Sequence, residues 1–190
     1  NMALTDVALC SHALIRIGAR PISSFADGTT EADVAGTLYG SIRDDLLSSY
    51  GWSFATGQEV LNQLAQNPEA DYDFAYQLPN DFLRALSAGH NGRGRGLDFR
   101  INKDTLQTDS SGVLLTYIFR PDESAFPPFF DAALIARLAA EFVIPITEST
   151  SRADVFMKLA EQSYARAKQV DAQQDTPSRL EQFSLIDARS

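Results

Sequence analysis

"YDFAYQLP", residues 72 to 79, decides the fold. Tyr72, Phe74, Tyr76 and Leu78 stand at alternate positions, so an extended strand would present all four on one face. The neighbouring segments read the same way. "DFLRALSA" (81–88), "LDFRI" (97–101), "TLQTD" (105–109) and "VLLTYIF" (113–119) are short β candidates separated by Gly, Asn, Asp and Ser. "NKD" (102–104) and "DSSG" (109–112) read as hairpin connections. The expectation is a small antiparallel sheet within residues 53–124. "GQEVLNQLAQ" (57–66) stays ambiguous between strand and helix. Trp52, Phe54, Tyr72, Phe74, Tyr76, Phe82 and Phe99 are expected in the core, joining sheet to helices.

On either side of this segment the period lengthens to that of a helix. Residues 5–17 form a first helix, capped by Thr5, with Val7, Cys10, Leu14 and Ile17 on one stripe. Gly18 and Pro21 end it. Residues 31–50 form a second, with Thr30 as cap and Asp33 as the capping-box acid. Its stripe is Val34, Leu38, Ile42 and Leu46. Pro127 and Pro128 open a third at 127–144, stopped by Pro145. Ser149 or Ser151 starts a fourth, running to about Gln173. Its thin apolar face is Val155, Leu159, Tyr164, Ala167 and Val170.

The resulting fold class is α+β: a four-helix bundle-like α domain with an inserted small antiparallel β domain and an extended C-terminal tail. The helical domain is discontinuous, 1–52 and 125–174; the β-rich domain is 53–124 and the tail 175–190.

Composition narrows the function. A net charge of -9 argues against a general nucleic-acid binder, which needs a basic face. The single cysteine, Cys10, allows no internal disulfide and fits a reducing compartment. "AALIARLAAEFVIPI" (132–146) is too short and, with Arg137 and Glu141, too charged to span a bilayer. Asp6 has the wrong sign for the start of a signal peptide, and Asn1 before Met2 reads as a tag remnant.

"GHNGRGRG" (89–96) attracts a catalytic or phosphate reading. It lacks the Lys-Ser/Thr of a Walker loop, does not fit G-x-G-x-x-G, and precedes no helix whose N-terminus could hold an anion. The plainer expectation is a flexible, locally basic turn between strands, with Arg93 and Arg95 free to meet a subunit or tail protein. His12 and His90 have no second ligand at metal spacing. No G-x-S-x-G elbow is present. Asp44 and Asp45 are adjacent on a helix and face apart. These readings assign no catalytic residue, metal or cofactor.

The tail, "DTPSRLEQFSLIDARS" (175–190), has no helical or strand period, yet carries Leu180, Phe183, Leu185 and Ile186. Burying four such side chains contributes roughly 6–12 kcal/mol. Ordering about a dozen residues costs at least as much. Such a tail is expected to order on a preformed groove, or else to pack back on its own domain.

Four segments then line up in order: "IRDDLLSSYGWSFAT" (42–56), "FAYQLPNDFLRAL" (74–86), "LLTYIFRPDESAFPPFFDAALIARLAAEFVIPIT" (114–147) and "QQDTPSRLEQFSLIDARS" (173–190). Together they resemble the tail tubular protein A family of phage head–tail adaptors, over nearly the whole chain. "GHNGRGRG" is not part of that pattern. The resemblance implies a structural virion protein, not an enzyme, found in the host cytoplasm during assembly. It implies a homo-oligomeric ring, typically twelve-fold, between the portal protein and a tail nozzle or other tail protein. Double-stranded DNA would pass through the channel without sequence-specific binding, and no membrane is involved. The free protein could be monomeric. The tail residues Leu180, Phe183, Leu185, Ile186 and Arg189 would engage the portal. Two other classes stay open at the level of sequence: a virion-associated polysaccharide hydrolase using an unidentified carboxylate pair, and a nucleic-acid-binding module using Arg93 and Arg95.

Overall fold

A computed structural model describes residues 3–174. The tail residues Leu180, Phe183, Leu185, Ile186 and Arg189 lie outside the described residues. The chain is α+β, with four long helices and two antiparallel three-stranded sheets. The helices are α1 (Asp6–Arg16), α2 (Thr30–Ser48), α3 (Pro128–Thr147) and α4 (Thr150–Ala172). The strands, β1 (Thr56–Val60), β2 (Phe74–Gln77), β3 (Phe82–Gly89), β4 (Arg100–Asn102), β5 (Thr105–Thr108) and β6 (Leu114–Phe119), all fall between α2 and α3.

The single expected sheet is two. One has the order β1-β6-β3 and the other β2-β5-β4. "NKD" does make the β4–β5 hairpin. "DSSG" instead carries the chain from one sheet to the other. Alternation reports which side of a strand is buried; it carries no information about its neighbour. The ambiguous 57–66 stretch begins as strand β1, paired antiparallel with β6 from Thr56↔Ile118 to Val60↔Leu114. Leu61, Tyr76, Leu78, Leu106, Val113, Leu115 and Tyr117 form a core in the β region.

The larger core lies among the helices, with α3 at its centre. Phe130, Leu134, Leu138 and Phe142 of α3 are fully buried against Leu9, Leu14, Leu47 and Trp52. Ile118 of β6 joins this core, so β6 belongs to both halves. Phe54 packs edge-to-face on Phe130, with centroids 4.9 Å apart.

Four expectations about the helices are corrected. The cap of α2 is Thr29, whose hydroxyl accepts from the Ala32 N–H; Asp33 then falls one position too late for a capping box. The buried face of α2 runs through Ala35, Tyr39, Ile42 and Leu46, leaving Val34 and Leu38 partly exposed. Tyr39 can point inward because its hydroxyl donates to Glu123. Pro145 does not stop α3: it sits in the last turn, and the helix ends at Glu148 in the left-handed region, φ 55°. A proline that late removes one bond, and the Thr147 hydroxyl and Glu148 N–H satisfy neighbouring carbonyls. In α4 the inward residues are Phe156, Ala160, Tyr164, Ala167 and Asp171. Val155 and Leu159 point outward, 57% and 49% exposed. Ala167 is buried as expected, and small Ala160 also allows close approach to α3, a role that counting bulky apolar residues overlooks.

Candidate functional site

"GHNGRGRG" is not a loose turn. β3 ends at Gly89, and the chain doubles back so that the Leu97 N–H donates to the Ala88 carbonyl at 2.9 Å. The Gly94 carbonyl accepts from the Ser87 hydroxyl at 2.6 Å and the Thr116 hydroxyl at 3.1 Å. The glycines serve close approach. A Cβ on Gly89 would collide with the Arg93 carbonyl, and one on Gly94 with Gln58 and Thr116. Gly94 is thus held against the sheet while Arg93 and Arg95, on either side, are exposed. The two arginines border two adjoining concavities, one completed by His90, Asn91 and Gly96, the other by Gln58, Ser87 and Thr116. No carboxylate lines either one, and neither arginine has an ion-pair partner among the described residues.

Across the same sheet lies the opposite charge. Tyr117 follows Thr116 on β6, so its side chain leaves from the other face. Its hydroxyl lies 3.2 Å from Glu59 and 3.1 Å from Asp81. One phenolic hydrogen serves two carboxylates. Burial, then hydrogen bonding and charge from Asp81 and Glu59, push the Tyr117 phenol well above its ordinary range. The cleft beside them includes Asn80 and Gln77 and opens to solvent. Neither carboxylate makes an ion pair among the described residues; Arg120, held by Asp44, acts on Asp81 only through its longer-range charge. Sequence reading missed this pair, because Glu59, Asp81 and Tyr117 converge only through strand register.

A second charged cluster is internally balanced. Arg43 donates to Asp44 at 2.9 Å and to Glu123 at 3.1 Å; Tyr39 also donates to Glu123, at 2.9 Å. Arg120 grips both oxygens of Asp44. The group fastens α2 to the connection between β6 and α3. Asp45 faces away, toward Arg137 at 3.7 Å, in line with adjacent residues on a helix. Asp171, 3% exposed, accepts from the backbone and hydroxyl of Ser53 and so ties the end of α4 to the turn after α2.

Asp131 differs from all of these. Its Oδ1 is buried without a hydrogen-bond partner, and burial lifts its carboxyl to about 6. The folded state therefore holds this proton more tightly than the unfolded chain. Stability from this group is largest in acid and falls as pH rises from the unfolded value near 4 through 6. Asp131→Asn is expected to stabilise the protein by about 1 kcal/mol at pH 8, a figure reduced for partial exposure. Urea denaturation at pH 8 and again at pH 4 checks it: the gain should vanish at pH 4.

Other reactive groups are isolated. His12 and His90 are exposed. Burial, and to a lesser degree Asp6, pushes the Cys10 thiol up to about 12. Among the described residues no cluster of three His, Cys, Asp or Glu is arranged to hold a metal, and no helix is long and apolar enough to cross a membrane. The geometry brings Arg93 and Arg95 together as the sequence suggested, but on a folded-back loop. A scan against protein-family models and a search of curated proteins return no match to this chain.

Proposed function

We propose that this chain is a structural head–tail adaptor of a short-tailed phage or related prophage, acting by assembly rather than catalysis. Copies form a ring between the portal protein and the tail nozzle or another tail protein, in the virion neck, and genomic DNA passes through its channel. The reading starts from the ordered motifs of the sequence. The observation that carries it is the outer side of α4. That helix has 23 residues, about 35 Å at 1.5 Å each. Val155 and Leu159 stand one turn apart on its outer face, exposed amid polar residues, and Ile144 at the end of α3 is 52% exposed. Exposed apolar side chains on an otherwise polar helix suit contact with a neighbouring subunit. A ring needs two different surfaces on each copy, so that one subunit's patch meets another's partner surface.

The apolar tail supplies the portal-facing element in this reading. Electron microscopy of the protein mixed with its portal tests it: a ring at the portal's narrow end is expected. Truncation of residues 176–190 should leave the thermal melt of the helical and β regions unchanged and abolish portal binding. Portal binding that survives the truncation would remove the tail from the mechanism.

A further inference from the structure

We infer that the folded-back loop of one copy docks, through Arg93 and Arg95, onto the Glu59–Asp81 pair of a second copy of this chain. The inference rests on the ring reading and names one of its subunit contacts. Its basis is the position of both charge pairs on a single sheet. In an antiparallel pair, residues directly opposite share a face. Gln58 pairs with Thr116, and Gly57 with Tyr117, the next residue along β6. The loop is bound to Thr116 through the Gly94 carbonyl. The carboxylates are bound to the Tyr117 hydroxyl. Cation pair and anion pair are therefore anchored to adjacent residues of one strand and leave from opposite sides. Repeating the contact moves each copy in the same direction, which is the heterologous arrangement that closes a ring when the rotation fits.

Charge accounting favours this occupant. Neither pair makes an ion pair within its own copy among the described residues, although Asp81 feels the charge of Arg120, which is itself held by Asp44. Two guanidiniums match two carboxylates, and the planar fork of Arg suits carboxylate oxygens. DNA fits less well. Two arginines provide about two phosphate contacts, whereas proteins that hold duplex DNA through its backbone use roughly 6–10. The chain's charge of -9 also opposes the approach of a polyanion. The loop is built to present the arginines rather than to let them roam: Gly94 lies against the sheet between them.

Reciprocal charge reversal in the full chain tests the contact. One variant is Arg93→Glu with Arg95→Glu; the other is Glu59→Arg with Asp81→Arg. Sedimentation is measured for each alone and for their equimolar mixture, at low and high salt, after circular dichroism melts establish folding. Each variant alone should associate at least about tenfold more weakly than the unmodified chain. The mixture should associate again, because it restores opposite charges at every contact, and high salt should weaken it. The gentler pair, Arg93→Gln/Arg95→Gln and Glu59→Gln/Asp81→Asn, replaces any variant that does not fold, and each should weaken association in the same direction. Unchanged association of the single variants, or a mixture that stays as dissociated as its components, overturns the contact. So does duplex DNA binding that is lost with the arginines while association is untouched. Rings on the portal formed equally well by both variants overturn the contact and leave the adaptor reading standing. Salt-sensitive association that follows the charge pattern without portal binding does the reverse.

Discussion

Trp52→Ala is expected to lower the stability of the fold by about 3–5 kcal/mol, the range found for removing a large aromatic from a packed core. Trp52 is fully buried at the junction between α2 and β1. Its ring meets Tyr50 at 5.0 Å, Phe130 at 5.2 Å and Tyr164 at 6.0 Å, all edge-on, so it touches the turn, α3 and α4 together. Its indole N–H donates to the Leu46 carbonyl at 3.0 Å, near the end of α2. Truncation thus leaves a cavity among three elements and removes one of the hydrogen bonds to the Leu46 carbonyl, which keeps the Ser49 hydroxyl at 2.7 Å. Against a typical domain stability of 5–15 kcal/mol, this is a large fraction. Trp52→Phe keeps part of the ring and should cost about 1–2 kcal/mol, mainly the lost hydrogen bond and residual void. Guanidinium denaturation followed by far-ultraviolet circular dichroism reads both, since the variants lack the tryptophan fluorophore. The midpoint should fall with the slope unchanged. A midpoint within error of the unmodified protein would mean that the junction is held by something other than this ring.

That junction also shows where sequence reading succeeds and where it stops. "YDFAYQLP" announces a strand because its period is local, and β2 lies there. The stripe of α1 is legible for the same reason, and Thr5 caps that helix as expected. Failures begin where the answer depends on a partner distant in sequence. Tyr39 turns inward because Glu123, far along the chain, receives its hydroxyl. Ala160 faces α3 while larger Leu159 faces solvent, a choice made by the space between helices. The division into two sheets is invisible because chain order does not specify which strands become neighbours. The candidate site divides likewise. Arg93 and Arg95 are conspicuous in a glycine-rich stretch, whereas Glu59 and Asp81 look like ordinary surface acids until Tyr117 brings them together. The glycines themselves suggested freedom. Gly89 and Gly94 instead serve tight contact, which requires knowing what lies against them.

Arg43→Met should cost about 2–4 kcal/mol at pH 7, and the loss should shrink in acid. Methionine retains much of the aliphatic stem while removing the guanidinium, whose carbon lies 5.5 Å from the centre of the Tyr39 ring. Asp44 keeps Arg120, but Glu123 loses its cation and retains Tyr39. Its side chain is 24% exposed, so water replaces the arginine incompletely. Burial alone would raise both carboxyls. For Asp44 the hydrogen bonds from Arg120 and Arg43 prevail, and for Glu123 its own backbone N–H, Tyr39 and Arg43 prevail, so both lie below their usual values. The sign of the pH effect follows. A carboxyl depressed on folding contributes stability above its unfolded value, near 4, and that contribution disappears as pH falls through the lower folded value. The difference between Arg43→Met and the parent should therefore be full above pH 5 and narrow below 4, opposite in direction to the effect of Asp131. Adding Glu123→Gln to Arg43→Met removes the stranded charge. The double variant should be more stable than the sum of the two single losses predicts, by about 1 kcal/mol or more. Strict additivity would show that Arg43 does not act through the charge of Glu123, leaving the Arg120–Asp44 pair as the charged tie between α2 and the connection from β6 to α3.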